Sequence, residues 1–284
     1  MTASSHSTEN RDWVNLRRDH DTGIESVHAH FTGHAYDPHA HDEVLVGVTQ
    51  QGTQRFTCHR ALHTSTPGRA ILIEPGAVHD GHAPQSEGFT YVMLYLPQTW
   101  VSGMLDQRGL GDISTLQAAF RSTLSEDAFL NTAIQQAFYA VHQREGRLAR
   151  DQSLDYLLSL LARQLYTRPD AELSDATLQM LRVRDFLHDC MAQDVSLDTL
   201  SREAGTDRFR LTRQFKKAFG QSPHAYLVSL RLRCARMLLA QGVRPAQVAI
   251  DVGFADQSHL GRWFQRAWRM SPAAYQRQCT NVLS

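Results

Sequence analysis

The sequence predicts an α+β, multidomain chain with a strand-rich N-terminal part, a helical region after it, and an all-α C-terminal part built from a duplicated unit. Three observations carry that prediction. Short runs of β-formers broken by Gly and Pro fill residues 24–97. Helical stripes replace them after Pro97. From residue 178 onward a helical segment repeats itself at a constant offset of 49 residues.

The strand-rich part contains EVLVGVT (43–49), QRFTC (54–58), AILIE (70–74) and FTYVMLYL (89–96). Strands this short at this spacing predict a small antiparallel sandwich or barrel. Further on, Leu130, Ile134, Ala137, Phe138 and Val141 fall on one helical face, and Leu154, Leu157, Leu158, Leu161 and Leu165 make a second stripe. These stripes either pack on each other and the sheet or leave a leucine face for a second copy of the chain. The segment TRPDAELSD (167–175) is polar and carries Pro169, which marks a linker. The expected boundaries are therefore 1–112, 113–168, a linker at 169–177, and 178–284.

Charge divides the same way. Net charge is zero over 284 residues, yet residues 178–284 carry +8 and the first 177 carry −8, while 11 of the 15 histidines precede residue 83. A basic C-terminal block suits a polyanion, and the acidic, histidine-rich block has another task. No apolar run approaches the ~20 residues that span a bilayer, which excludes a helical membrane protein. The polar start, MTASSHSTENRDW, lacks the apolar core of a secretion signal. Cys58, Cys190, Cys234 and Cys279 show no paired spacing and read as free thiols of a reducing compartment. The expected location is the cytoplasm, with no membrane partner.

In the repeat, DRFRLTRQFKKAFGQSPHAY lies over DQSHLGRWFQRAWRMSPAAY with nine identities in twenty. Each copy parses as helix, tight turn, helix. In the first copy Ser196 caps helix one, Leu197, Leu200 and Ala204 form its inner face, and Gly205 turns the chain. Asp207 then caps helix two, which buries Leu211 and Phe215. Val248, Val252, Gly253, Asp256, Leu260 and Phe264 repeat the scheme, and Ser-Pro opens a further helix in each copy. The outward positions are Arg208, Phe209, Arg210, Thr212 and Arg213 in the first copy, and Gln257, Ser258, His259 and Arg262 in the second. These side-chain types read base edges in the major groove, and Phe209 suits a thymine methyl. The connecting helix, about 223–241, is expected to space the two units about one duplex turn (~34 Å) apart on double-stranded DNA.

Residues 178–279 resemble the DNA-binding domain of the AraC/XylS family of bacterial transcription regulators. The residues that carry the likeness are LSREAGTDRFRLTRQFKKAFGQSP, the connecting RLRCARMLL, and VAIDVGFADQSHLGRWFQRAWRMSPAAY. The resemblance implies a seven-helix domain with two helix-turn-helix units, whose base readers match Phe209, Thr212, Arg213, Gln257, Ser258, His259 and Arg262. Gly261, inside the second recognition helix, departs from a good helix sequence by about 1 kcal/mol relative to Ala.

The N-terminal part resembles the cupin-like effector-binding domain that commonly precedes this DNA-binding domain. Gly33, His39, His41 and Gly52 match the first cupin motif, but its metal-binding Glu falls on Leu45, or on Val44 with the shorter gap, and Glu43 comes too early, although a regular strand would put it on the same side as His39 and His41; Gly68, Gly76 and His79 match the second motif. Residues His39, His41, Glu43 and His79 are the expected effector-binding set, with Arg55, His59, Glu74 and Tyr91 as further candidates to line the barrel. No cofactor is expected as a fixed part, although His39, His41 and His79 could hold Zn²⁺ or Fe²⁺ with one position open. Three readings stay open: a metal-free pocket wall, the use most sensor domains of this family make of their barrel histidines; a metal used in sensing; and a cupin metalloenzyme, dioxygenase or isomerase, fused to a DNA-binding domain, against which the missing carboxylate counts. The family reading is a ligand-responsive regulator, not an enzyme. Its expected partners are promoter DNA, a small-molecule effector, RNA polymerase and a second copy of itself. A constitutive DNA-binding protein with the barrel as a dimerisation platform is the third alternative.

Overall fold

The computed structural model describes residues 12–107, 118–167 and 175–280. The N-terminal strands are β1 (Trp13–Arg18), β2 (Glu25–Phe31), β3 (His34–His39), β4 (Val44–Gly52), β5 (Gln54–Cys58), β6 (Ala61–Ser65), β7 (Ala70–Ile73), β8 (His79–His82) and β9 (Phe89–Leu96). Then follow α1 (Gln98–Asp106), the short β10 (Ala118–Phe120) and β11 (Leu124–Ser125), α2 (Ala128–His142), α3 (Arg147–Gln164) and β12 (Leu165–Thr167). One sheet runs β1-β2-β9-β4-β7-β11 and the other β3-β8-β5-β6, while β10 pairs β12. The expected barrel is thus two facing antiparallel sheets with no ladder closing the ring among the described residues. It also starts earlier than expected, because WVNLRR at 13–18 pairs along β2 over its full length.

Strand β4 shows how the layers form. Val44, Val46 and Val48 join Leu72, Leu94 and Leu96 in a core with α2 and α3, while Leu45 turns to the opposite core with Ile71, Ile73, Tyr91 and Met93. Period-2 alternation sends successive residues to opposite faces, and both faces are covered, so the strand reads as one apolar run. Both predicted helical stripes fill the outer layer: Leu130, Ile134, Ala137, Phe138 and Val141, then Leu154, Leu157, Leu158 and Leu161, are buried there. Leu165 lies in β12, not in the helix, and still packs on that core. Most of the expected linker, residues 168–174, lies outside the described residues.

The C-terminal part comprises α4 (Asp175–Asp189), α5 (Leu197–Ala204), α6 (Arg208–Phe219), α7 (Pro223–Ala240), α8 (Pro245–Asp251), α9 (Gln257–Trp268) and α10 (Pro272–Thr280). The caps fall where the sequence puts them. Ser196 accepts from the Thr199 amide, Asp207 from Arg210, Ser222 from Ala225 and Asp256 from His259. Gly205, at φ 58°, makes the left-handed turn between α5 and α6. Leu200 and Ala204 are buried as expected, but Leu197, at the first turn of α5, is 42% exposed. The four cysteines are unpaired.

The two halves meet over an extended contact. One apolar cluster runs from Leu16, Val27 and Phe31 of the sheets into Leu232, Phe264, Ala267 and Tyr275 of the helices. The Leu16 amide donates to Gln278 (2.9 Å), Arg269 pairs with Asp12 (2.9 Å), and Arg233 pairs with Asp42 (2.7 Å).

Candidate functional site

Helix α7 carries Arg236 on the same stripe as Leu232, Ala235 and Leu239, and buries it with them. A buried guanidinium is retained only when its donors are used. Arg236 reaches Glu25 of β2 at 2.6 Å, Glu43 at 3.1 Å and His41 Nδ1 at 3.4 Å. The rings of Tyr95, Trp268 and Tyr275 lie 5.3, 5.3 and 5.8 Å from its carbon, within cation–π range. Glu25 also accepts from Arg18 (2.8 Å) and from the Tyr275 hydroxyl. Burial works to raise the Glu25 carboxyl, but Arg236 and Arg18 beside it hold it below the usual carboxylate range. A charge cluster with members from β1, β2, α7 and α10 thus joins sensor half to helical half.

Beside this cluster lies a cavity between the sheets. Its walls include Leu45, Phe56, Tyr91 and Met93 from the strands, and its lid is Arg236 with Ala267–Met270 from the α9–α10 turn. Its free volume is about 40 Å³. That is room for a few waters and far below the ~300 Å³ of ordinary ligand pockets. Tyr36 enters because Gly81 has no side chain: a Cβ there would stand 2.5 Å from the ring. The Tyr36 hydroxyl accepts from Gln54 (2.8 Å).

His39 and His79 line the cavity, and His41 joins them, one nitrogen of each within 4.8 Å of the others. Ring centroids are 4.7 Å apart for His39–His41 and His39–His79, and 5.3 Å for His41–His79. His39 Nδ1 faces the Asp37 carbonyl (2.7 Å) and His79 Nδ1 the Ala77 carbonyl (2.9 Å). A carbonyl only accepts, so both protons sit on Nδ1 and both Nε2 atoms keep a lone pair. Burial lowers all three pKa values, that of His39 to about 3, with the neighbouring imidazoles adding to it for His39 and His41. The rings are neutral at pH 7, the form that ligates metal. His41 Nε2 is buried with no hydrogen-bond partner among the described residues.

Of the sequence-derived set, the structure brings His39, His41 and His79 together and places Glu43 apart from them. β3 ends at His39 and β4 begins at Val44, so Glu43 lies in the connection and spends its carboxylate on Arg236. Tyr91 lines the cavity, whereas Arg55 and His59 are exposed and His59 pairs with Glu74 (3.1 Å). Leu45, at the position where a cupin carries its carboxylate, does line it. Sequence reading missed Arg236, Glu25, Tyr275 and Trp268; the available signal was an arginine set into the apolar stripe of RLRCARMLL.

In the helical half, Phe209 is 90% exposed, and Arg210, Arg213, Gln257, Ser258 and Arg262 are exposed as well. Arg208 is exposed and engaged by Asp198. The Thr212 hydroxyl donates to the Arg208 carbonyl (2.8 Å). His259 is half-buried, accepts from Trp263 (3.0 Å) and stands edge-on to Phe254. Gly261 faces open space.

Comparison with known proteins places these two regions. The family described as AraC-like ligand binding domain matches residues 21–181, and a helix-turn-helix domain family matches residues 200–278. The transcriptional regulator YbfI of Bacillus subtilis is 26% identical over 229 residues, covering 78% of this chain and 80% of its own. The transcriptional activator RhaS of Enterobacter sp. is 27% identical over 247 residues, covering 84% and 86%. The crystal structure of ToxT from Vibrio cholerae superposes with a TM-score of 0.58 at 12% identity, over 91% of this chain and 99% of that one. ToxT with a bound unsaturated fatty acid gives 0.57 at 14% identity, over 96% of each.

Proposed function

Because the chain belongs to the AraC family of transcription regulators, with a ligand-binding half and a helix-turn-helix half, we propose that its effector is read in the cavity between the sheets and reported through Arg236. The observation that carries this reading is that one cavity has walls from the sensor and a lid from the DNA-binding half. An effector larger than a few waters must displace Arg236, Trp268 or Met270 to enter, which makes its affinity differ between closed and opened arrangements. That difference is what shifts a population.

The DNA surface is Phe209, Arg210, Thr212, Arg213, Gln257, Ser258 and Arg262, with Arg208 released from Asp198 to reach phosphate and His259 seating the second recognition helix. We read the protein as a cytoplasmic homodimer that contacts RNA polymerase at its promoter. The described helices include none long and apolar enough to cross a membrane. Exposed Phe129, Leu148 and Tyr156 on α2 and α3 suit a second copy of the chain. The role is regulatory and not catalytic, a reading supported by Leu45 where a cupin enzyme has its carboxylate.

The test is a thermal-shift screen of metabolites followed by footprinting with and without each hit. A hit should change operator occupancy in the wild type and lose that effect in Arg236→Met. A stabilising hit that leaves occupancy unchanged would reduce the sensor half to a dimerisation platform.

A further inference from the structure

The three-histidine cluster goes beyond an apolar pocket wall. Hydrogen bonds from His39 and His79 to backbone carbonyls fix the tautomer that presents Nε2, the arrangement that ordinarily orients metal-bound imidazoles. His41 adds a buried Nε2 with no partner among the described residues. All-nitrogen donors select first-row transition ions such as Zn²⁺ over Mg²⁺ and Ca²⁺, which take oxygen. A tetrahedral zinc with bonds of about 2.0–2.1 Å holds its nitrogens about 3.4 Å apart, so rings already within 4.8 Å close on it by small rotations. A cavity of about 40 Å³ accommodates the ion and a water or small anion.

We propose that His39, His41 and His79 bind a divalent transition-metal ion, with the fourth position open to the cavity, and that occupancy loosens the Arg236 contact between the two halves. This rests on the reading of the cavity as the signalling site. His41 supplies the coupling. Arg236 can only donate, so in the metal-free form His41 Nδ1 accepts from it and the ring proton resides on Nε2. Ligation through Nε2 moves that proton to Nδ1, where it confronts the guanidinium. No proton is released overall; an acceptor has become a donor. The added positive charge of the ion acts in the same direction, since Glu25 and Glu43 are already committed to Arg236. The remaining charge makes the open position one for an oxygen anion, hydroxide or a small carboxylate.

The experiment loads the full-length protein with Zn²⁺, and with Co²⁺ as a spectroscopic probe, and measures metal per chain after dialysis. Hydrogen exchange is then followed across α7, α10 and β1, with and without Zn²⁺. One ion per chain is expected, with Co²⁺ absorption typical of nitrogen ligation that shifts on adding azide. Exchange at the α7–β2 and α10–β1 contacts should quicken with Zn²⁺. Affinity should fall more than about tenfold in His39→Ala/His79→Ala and stay unchanged in His63→Ala. If the double variant does not fold, as judged by circular dichroism, His79→Gln and the wild-type titration carry the same test. Absence of stoichiometric uptake by the wild type, uptake indifferent to the histidines, a spectrum unmoved by azide, or unchanged exchange at the interface each overturns the proposal. A footprint that neither metal nor metabolite alters, in a protein that binds the ion as described, would instead overturn the signalling role of the cavity.

Discussion

Arg236 is 5% exposed and Glu25 2%, so neither charge has water to fall back on. Removing one partner of such a pair leaves the other uncompensated, which costs more than the pair contributes. Arg236→Ala should therefore lower unfolding stability by about 3 kcal/mol, checked by urea denaturation, and Arg236→Met, which keeps the packing, by less. His142 makes a second prediction at this scale. It is buried on the outer layer, with Nδ1 2.9 Å from the Ser26 hydroxyl and its ring stacked on Phe138. Burial, then the facing charges of Arg17 and His28, lowers its pKa to about 4. The unfolded chain takes up a proton near pH 6.5 that the folded ring refuses, so stability is full above 6.5 and declines as pH falls toward 4. Melting temperatures measured between pH 7 and 4 should fall less steeply in His142→Phe. An identical slope would place the acid sensitivity elsewhere.

At the scale of elements, the second recognition helix, α9, runs with Gly261 facing open space. Gly261→Ala should add up to about 1 kcal/mol of stability by thermal melting, with no side chain to displace. Any loss of operator affinity in that variant would mean that the space is needed by DNA. Arg213 of α6 and Arg262 of α9 are exposed. Arg213→Ala or Arg262→Ala should weaken specific binding by about 1–3 kcal/mol where the arginine forks onto a base. Equal losses on operator and random DNA in electrophoretic titrations would assign that arginine to phosphate alone. These helices are legible in the sequence because their signals are local: Asp207 and Asp256 at caps, Gly205 at a turn, and leucine and phenylalanine at fixed spacing. β9 and β5 are legible to the residue from β-branched and aromatic runs. β1 escapes sequence reading because WVNLRR carries Asn15, Arg17 and Arg18 among only six residues, which leaves no clear β-forming run. Glu43 is misplaced by sequence because the alternation expected through residues 39–45 is broken where β3 gives way to β4. Arg236 reads as part of a spacer, since nothing local tells that its partner lies 211 residues away.

At the scale of the whole molecule, a zero net charge conceals a basic half, which carries the helix-turn-helix units, and an acidic half. Binding should follow the local charge. The logarithm of affinity should fall linearly with that of salt concentration, and each phosphate-neutralising side chain removed by substitution should reduce the slope by about one. Fluorescence anisotropy over a salt series measures this, and a flat dependence would contradict the assigned surface. The duplication, charge division and layered architecture are all legible without the fold, because each is a property of long stretches. The docking of the halves is not, since it depends on which few side chains meet across it.

That docking bears on how such proteins diversify. Arg236 is encoded with the DNA-reading half, yet it completes the charge balance of the sensor through Glu25 and Glu43. Recombination that exchanges sensor halves between relatives would inherit an arginine without its carboxylates, or carboxylates without their arginine. Portability of the sensor is therefore restricted to donors that bring a matching pair. A graft that fails should be rescued by transferring Glu25, Glu43 and Arg236 together.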